Sequence, residues 1–233
     1  MMRLEPHLRQ LLLDLPIVEG ATFEDFLRDA SNAAALDAVL AWPDWPSTAL
    51  IVDGPSGCGK SHLGRIWAQR TDALWLPAAA VFAQAQPIER LAPGASCVID
   101  DVDLVEDDVL LLQLYNTIRE GGGHLLATAS APLGAWLPRL PDLASRLRTA
   151  WTVHVSAPRD ELLAAVLVKQ FRDRQIDLPA DVLAYLLARM ERSFAAARAI
   201  VRALDHASLH AKRPITVPLA RRVLELSETD AEA

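Results

Sequence analysis

Apolar and polar positions along the chain fall into two patterns, one typical of buried strands and one typical of helices. Short apolar runs with the length of strands lie at residues 50–53, 73–76, 96–101, 124–130 and 151–155. Apolar residues at helical spacing lie between these runs and before the first one, at residues 31–42, 61–67, 78–86, 107–120 and 140–148. The helical pattern at residues 78–86 is weak. This alternation of strands and helices predicts an α/β domain with a mostly parallel sheet.

The pattern changes after Pro158, where helical spacing alone remains. Amphipathic segments follow at residues 159–174, 179–192, 193–211 and 218–226. We therefore expect an α/β nucleotide-binding domain over residues 22–157, a small all-helical domain over 158–226, and a frayed acidic tail over 227–233. Residues 1–21 show no sustained period and are expected to form a separate N-terminal segment.

Composition restricts the class of protein. The 233 residues are 52% apolar with a mean hydropathy of +0.17, which suffices for one α/β core and a smaller appendage. Since no apolar run has the length of a membrane span and the N-terminus is charged, we expect a cytoplasmic protein without membrane contacts. Cys58 and Cys97 are too few for a disulfide framework and predict reduced thiols. The net charge of −7 indicates that any DNA contact is weak or indirect.

A glycine-rich turn between the first strand and its helix predicts a phosphate-binding loop. Glycines let the backbone point its N–H groups at an anion, and the next helix directs its positive end there. Lys60 can then contact the β- and γ-phosphates, and the Ser61 hydroxyl can bind Mg²⁺. The full spacing favours a site for a nucleoside di- or triphosphate over an accidental turn. The predicted nucleotide-binding residues of this stretch are Gly54, Pro55, Ser56, Gly57, Cys58, Gly59, Lys60, Ser61 and His62.

Two carboxylates end the third predicted strand, at the carboxyl edge of the sheet where open α/β sheets bind their ligands. Asp100 suits Mg²⁺ coordination, and Asp101 suits polarising an attacking water; a simple turn is the alternative. At the polar end of the fourth strand, Thr128 or Ser130 can contact the γ-phosphate or that water. An ordinary polar strand end explains these two residues equally well.

Residues 10–16 form a short apolar peptide that begins with Gln10 and ends with a proline. It is either the end of a buried helix or an extended ligand whose leucines fill pockets on another protein. In the second case Gln10 supplies a directional hydrogen bond. The residue types alone leave these alternatives even.

Arg146, in the predicted helix at residues 140–148, also has two interpretations. Its guanidinium is either a surface salt-bridge partner or an arginine finger. A finger is offered across a subunit interface to the charge that develops during phosphoryl transfer.

The order of these motifs resembles that of the AAA+ ATPases: phosphate loop, Asp-Asp strand, polar strand end, arginine helix and helical lid. Within that class the chain resembles the DnaA family of replication initiators. Residues 22–26, followed by Ser31 and Asn32, are similar to the family's entry motif around the adenine. Residues 98–102 match its Asp-Asp form of the second nucleotide motif.

Further stretches resemble the Hda regulators within the DnaA family. Residues 10–15 and 140–147 are similar to this group, and residues 42–46 to its HdaA form. We also expect no helix-turn-helix domain of the DnaA type to follow the lid.

The resemblance implies a nucleotide-bound regulator of replication initiation. Hda-type proteins attach to the β sliding clamp, the β subunit of DNA polymerase III, and then promote hydrolysis of the ATP held by DnaA. Arg146 is accordingly expected to act as a finger in trans, and a homodimer is a possible assembly. The expected clamp ligand consists of Gln10, Leu11, Leu13 and Leu15.

The predicted lid departs from the family pattern at one position. Where the family presents an arginine to the nucleotide, alignment places Ala195, and Arg198 lies one turn later on nearly the same face. Asn32 and Arg198 complete the nucleotide contacts that the resemblance implies. We expect bound ADP or ATP with weak or no intrinsic ATPase activity.

Three other functions fit parts of the sequence. An autonomous AAA+ ATPase, such as a helicase loader or a DnaA-like initiation factor, needs efficient hydrolysis and its own DNA contacts, which Ala195 and the acidic charge disfavour. A small-molecule kinase needs an arginine-rich lid inserted in the α/β core, whereas here the helices follow the core. A binding module with ADP as a structural ligand overlaps the favoured function.

Overall fold

The computed structural model describes residues 23–79, 91–211 and 213–231. The peptide predicted at residues 10–16 lies outside the described residues, as does most of the weak helix predicted at 78–86. The sheet, the phosphate loop and the helical region after Pro158 lie within them.

The described strands form one parallel sheet. They are β1 Ala49–Asp53, β2 Leu74–Pro77, β3 Cys97–Asp100, β4 Leu125–Ala129 and β5 Trp151–His154. The order across the sheet is β2-β3-β4-β1-β5, and every pairing is parallel. Each apolar run predicted as a strand is one, so the mostly parallel sheet is confirmed.

The helices fall into two groups along the chain. Those of the α/β part are α1 Ala33–Leu40, α2 Lys60–Thr71, α3 Asp108–Glu120 and α4 Pro141–Arg148. Those of the helical region are α5 Asp160–Asp173, α6 Ala180–Leu187, α7 Phe194–Ala211 and α8 Val217–Ala231. The prediction that the last helix ends at residue 226 is wrong, because no glycine or proline interrupts residues 219–231 and the helix continues to Ala231.

Side chains of the central strand β1 alternate between two apolar layers, as the pleat of a strand requires. Leu50 and Val52 pack in one layer with residues of α1 and α2. Ala49 and Ile51 pack in the other layer with residues of α3 and α4. Because both faces are covered, β1 is buried along its whole length and its carboxyl end is held rigidly.

The helical region has an apolar core of its own, built from all four of its helices and including Phe171, Leu186, Val201 and Ala220. Among the residues that the structure describes, no helix combines the length and apolar character needed to span a bilayer. Cys58 and Cys97 are buried free thiols, as predicted.

Candidate functional site

The loop between β1 and α2 has the backbone of an anion-binding turn. Gly57 and Gly59 have φ angles of +71° and +104°, in the left-handed region that favours glycine. A Cβ atom on Gly57 would lie 2.7 Å from Cβ of Ser193. Gly57 is therefore required both by the backbone conformation and by the close approach of the helical region.

Lys60 lies against this loop and is 5% exposed. Its Nζ donates to the carbonyl oxygens of Gly54 at 2.9 Å and Pro55 at 3.0 Å. An ammonium group carries three N–H donors, so a phosphate oxygen can accept the third. Lys60 and Ser61 are also the first residues of α2, whose dipole adds positive potential at the same point. The geometry suits an anion bound between the loop and the helix.

Asp100, Asp101 and Thr128 form a hydrogen-bonded group at the same edge of the sheet. The Thr128 hydroxyl donates to Oδ1 of Asp100 at 2.7 Å and accepts from the backbone N–H of Asp101 at 2.9 Å. Thr128 is fully buried, so its hydroxyl holds the two acids in place. These hydrogen bonds give Thr128 a positioning role, and its contact with a γ-phosphate or an attacking water stays a prediction.

Asp101 stands at a sharp bend between β3 and the 3-10 helix Val102–Leu104, with a φ angle of +59°. Burial raises the pKa of its carboxyl above the usual value, and the neighbouring Asp100 raises it further, while Lys60 lowers it. A higher pKa makes this carboxylate a stronger base, as polarisation of a water requires. The influence of Lys60 also indicates that the acids and the phosphate loop share one electrostatic site.

Ser130 follows β4 and is exposed, and its backbone N–H donates to Oδ2 of Asp103 at 2.9 Å. This hydrogen bond ties the end of β4 to the 3-10 helix after the acids. A contact of its hydroxyl with phosphate or water stays a prediction.

Helix α7 begins directly against the phosphate loop. The backbone N–H of Phe194 donates to the carbonyl oxygen of Gly57 at 2.8 Å. Ser193 precedes the helix as its N-cap, and its buried hydroxyl accepts the N–H of Ala196 at 3.0 Å. The first turn of this helix is thereby fastened to the loop that would hold the phosphates.

Ala195 lies in that first turn, with its Cβ 3.3 Å from where a Cβ on Gly57 would stand. At this contact Ala195 thus presents a methyl group and no charge to the loop. Arg198 lies one turn further along α7 and is exposed. Its contact with a nucleotide stays a prediction.

Asn32 shapes the loop before α1. Its Oδ1 accepts the backbone N–H of Asp29 at 2.9 Å, and its Nδ2 donates to the carbonyl oxygen of Leu27 at 2.9 Å. The side chain is almost completely buried. Both ends of the Asn32 amide thus hold the backbone of this loop, and its contact with the nucleotide stays a prediction.

Two further predicted residues lie within the loop and beside it. The ring of His62 on α2 meets the ring of Phe26 edge to face, with centroids 5.3 Å apart. The Cys58 thiol is buried, and burial raises its pKa above the usual value. Cys58 therefore carries a neutral thiol, and its backbone N–H donates to the carbonyl oxygen of Pro55 at 3.4 Å within the loop.

Arg146 on α4 is partly exposed, and two contacts hold its guanidinium. Nη2 lies 3.1 Å from Oδ2 of Asp142, and the ring of Tyr115 lies 5.8 Å from the guanidinium carbon. The side chain borders a polar cavity of about 400 Å³, which is also lined by Asn116, Arg119 and Glu120. The predicted salt bridge is present, and the finger role stays a prediction.

The buried carboxylate of Asp53 was missed by sequence reasoning. It ends β1 immediately before the phosphate loop, and its Oδ1 lies 2.5 Å from Nδ1 of His154 on β5. These residues are direct partners in the parallel register of the two strands. Only the strand order could have revealed the pair, because 101 positions separate them in sequence.

Comparison with known proteins identifies the helical region. Residues 160–224, which extend from α5 into α8, match the family model of the Hda lid domain. The chain is also similar in structure to domain III of the replication initiation protein DnaA from Thermotoga maritima. That likeness has a TM-score of 0.75 at 17% identity and covers 88% of this chain and 95% of the other.

Two other solved structures have the same fold. AMPPCP-bound DnaA from Aquifex aeolicus is 14% identical with a TM-score of 0.66, over 82% of this chain and 66% of that one. The RuvB Holliday junction branch migration motor of Thermotoga maritima is 14% identical with a TM-score of 0.68, over 88% of this chain and 72% of that one. With the parallel sheet and the phosphate loop, these likenesses confirm the predicted fold class: the chain has an AAA+-type α/β core followed by a helical lid region, and that region matches the Hda lid domain.

Proposed function

We propose that this chain is a nucleotide-bound regulator that binds the β sliding clamp and promotes hydrolysis of the ATP held by DnaA. The observation that carries the proposal is the closure of an Hda-type lid on the phosphate loop, with Ala195 at the contact. Because alanine brings no cation to the phosphates, the first turn of the lid helix would contact the loop without assisting hydrolysis. Such a site suits a regulator better than a motor.

ADP or ATP with Mg²⁺ fits the residues present. Lys60 and the N–H groups of the loop would hold the phosphates, and Ser61 and Asp100 would hold Mg²⁺. Bound Mg²⁺ neutralises phosphate charge. Thr128 keeps the Asp100 carboxylate in place.

Arg146 is proposed as the finger offered to DnaA-bound ATP. Its contacts with Asp142 and Tyr115 restrict the guanidinium and leave 25% of the side chain exposed. A restricted guanidinium loses less freedom when it meets a phosphate. Arg148 lies on the same helix, is exposed, and provides a matched control.

The test measures release of phosphate from DnaA-ATP with the purified chain and clamp loaded on DNA. Arg146→Ala should lower the stimulated rate by about a thousandfold, the lower part of the range known for fingers in trans. Arg148→Ala should leave that rate within about twofold of the parent. Full stimulation by Arg146→Ala would remove the finger assignment.

Attachment to the clamp is proposed for the N-terminal peptide, which lies outside the described residues. Its leucines and Gln10 fit an extended ligand for pockets on a partner. Gln10→Ala with Leu13→Ala should abolish capture of the chain by immobilised clamp, while Leu12→Ala in the same peptide should not. The variants should bind a fluorescent ADP analogue equally well. Capture of the double variant at the parent level would contradict clamp binding through this peptide.

The main alternative is an autonomous AAA+ ATPase, which the ordered acids Asp100 and Asp101 favour. An ATPase assay on the purified chain separates the two functions. Rapid turnover without DnaA and clamp would support the alternative. A regulator should show little turnover alone.

The proposed regulatory function also implies a cytoplasmic location. The chain would then reach DNA only through its partners.

A further inference from the structure

We propose that His206 and His210 chelate a divalent transition metal ion on the exposed side of the lid helix α7, with Cu²⁺ and Ni²⁺ bound in preference to Zn²⁺. The two Nε2 atoms lie 3.0 Å apart, and the ring centroids lie 4.2 Å apart. Both side chains are exposed. Neither residue contributes to the nucleotide site described above.

The helix sets this geometry. Residues four positions apart stand one above the other on one helical face, and two histidines at this spacing are a recurrent metal-binding arrangement. The backbone beneath the pair is held by Val201 and Leu204, which are fully buried in the core of the helical region. Because the helix is already ordered, chelation has little conformational entropy to overcome.

The hydrogen bond between the two rings is compatible with chelation. In the neutral pair one Nε2–H donates to the other Nε2. When that proton moves to Nδ1 of the same ring, each Nε2 carries a lone pair that can bind a metal ion. A metal ion can then replace the hydrogen bond with no net release of a proton from the neutral pair.

The distance between the nitrogens decides which metal fits. With metal–nitrogen bonds of about 2.0–2.1 Å, a separation of 3.0 Å gives an N–metal–N angle of roughly 90–97°. This angle matches neighbouring positions in tetragonal or octahedral coordination and is smaller than the tetrahedral angle that Zn²⁺ prefers. The pair therefore suits Cu²⁺ and Ni²⁺.

The remaining coordination positions are open. In the part of the chain that the structure describes, no group of three or more His, Cys, Asp or Glu side chains is placed to hold a metal ion. The adjacent Asp205 faces Arg174, with an Nε–Oδ2 distance of 3.7 Å. Beyond the two histidines, the described residues supply no such group, so we expect water or a donor from outside them to complete the coordination of the bound ion.

The metal site and the nucleotide site can be tested separately. His206 lies about 18 Å along α7 from Phe194, the residue bonded to the phosphate loop, at 1.5 Å of rise per residue. Replacing the histidines should leave binding of an ADP analogue unchanged. Failure of the metal proposal would therefore be distinguishable from failure of the proposed function.

The experiment titrates the full tag-free chain with Cu²⁺, Ni²⁺ and Zn²⁺ salts by calorimetry, and records the electron paramagnetic resonance spectrum of the Cu²⁺ complex. We compare the parent with His206→Gln, His210→Gln, the double variant and Leu209→Ala, an exposed neighbour on the same helix. Glutamine keeps a good helix former at each position. Any binding by the N-terminal amine or other histidines is common to all of these variants.

The expected result is one Cu²⁺ site per chain that the double variant lacks and Leu209→Ala retains, with coupling to two nitrogens in the spectrum. Ni²⁺ should bind more tightly than Zn²⁺. Bound metal should raise the melting temperature of the parent and leave that of the double variant unchanged. Equal binding by parent and double variant would overturn the proposal. Tighter binding of Zn²⁺ than Ni²⁺, or one metal per two chains, would overturn the intramolecular chelate.

Discussion

Replacing Gly57 by alanine tests whether the lid rests on the phosphate loop. Gly57 has a φ angle of +71°, and an added Cβ would lie 2.7 Å from Cβ and 3.1 Å from Oγ of Ser193. Gly122 is a matched control, because its φ angle is +78° and no heavy atom lies within 4 Å of its Cβ position. The two substitutions share the backbone strain, and Gly57→Ala alone meets the lid.

The magnitudes follow from this difference. A left-handed backbone costs an alanine about 1–2 kcal/mol at either position. Overpacking against Ser193 adds about 1–3 kcal/mol at Gly57. We expect the free energy of unfolding to fall by about 1–2 kcal/mol in Gly122→Ala and by about 2–5 kcal/mol in Gly57→Ala.

Urea unfolding followed by circular dichroism measures these losses. A fluorescent ADP analogue reports the loop, and its affinity should fall in Gly57→Ala and not in Gly122→Ala. Ser193→Gly in the Gly57→Ala background removes the opposing Cβ and should recover most of the difference between the two variants. Loss of the Ser193 cap to glycine costs only about a few tenths of a kcal/mol.

Equal losses in Gly57→Ala and Gly122→Ala would refute the reasoning. They would mean that the lid does not press on the loop in solution. Failure of Ser193→Gly to restore stability would point to strain in the loop alone. In either case the closure on which the proposed function rests would lose its support.

Two further predictions concern buried groups. Thr128→Val should lower stability by about 2–4 kcal/mol in urea, because it removes a hydrogen bond to the Asp100 carboxylate and leaves the Asp101 N–H without its acceptor. Thr128→Ser keeps the hydroxyl and should lose only about 1 kcal/mol; equal losses would contradict the positioning role. Burial raises the pKa of the Cys97 thiol from 9.0 to about 12, so a thiol-reactive dye should label it at pH 8 only after unfolding. Because the pKa of Cys97 is higher in the folded state than in the unfolded state, the free energy of unfolding keeps its full value below pH 9.0 and falls as pH rises towards about 12. Cys97→Ala should lack that decline.

The sequence by itself determined the elements of this fold and the chemistry of its loop. Apolar spacing located the strands and helices because burial of one face or of a whole strand imposes a local period. The glycines, Lys60 and Ser61 indicated a phosphate site because a short contiguous segment forms the whole cradle. Both signals lie within a few neighbouring residues and do not depend on the partner across the sheet.

Only the tertiary structure decided which polar residues face the site and which support it. Thr128 and Asp100 are 28 positions apart, and Asp53 and His154 are 101 apart, so their pairing depends on the order of the strands. The contact of Gly57 with Ser193 depends likewise on where the helical region packs. Burial and hydrogen-bond partners are properties of such distant contacts, which residue type and local spacing do not encode.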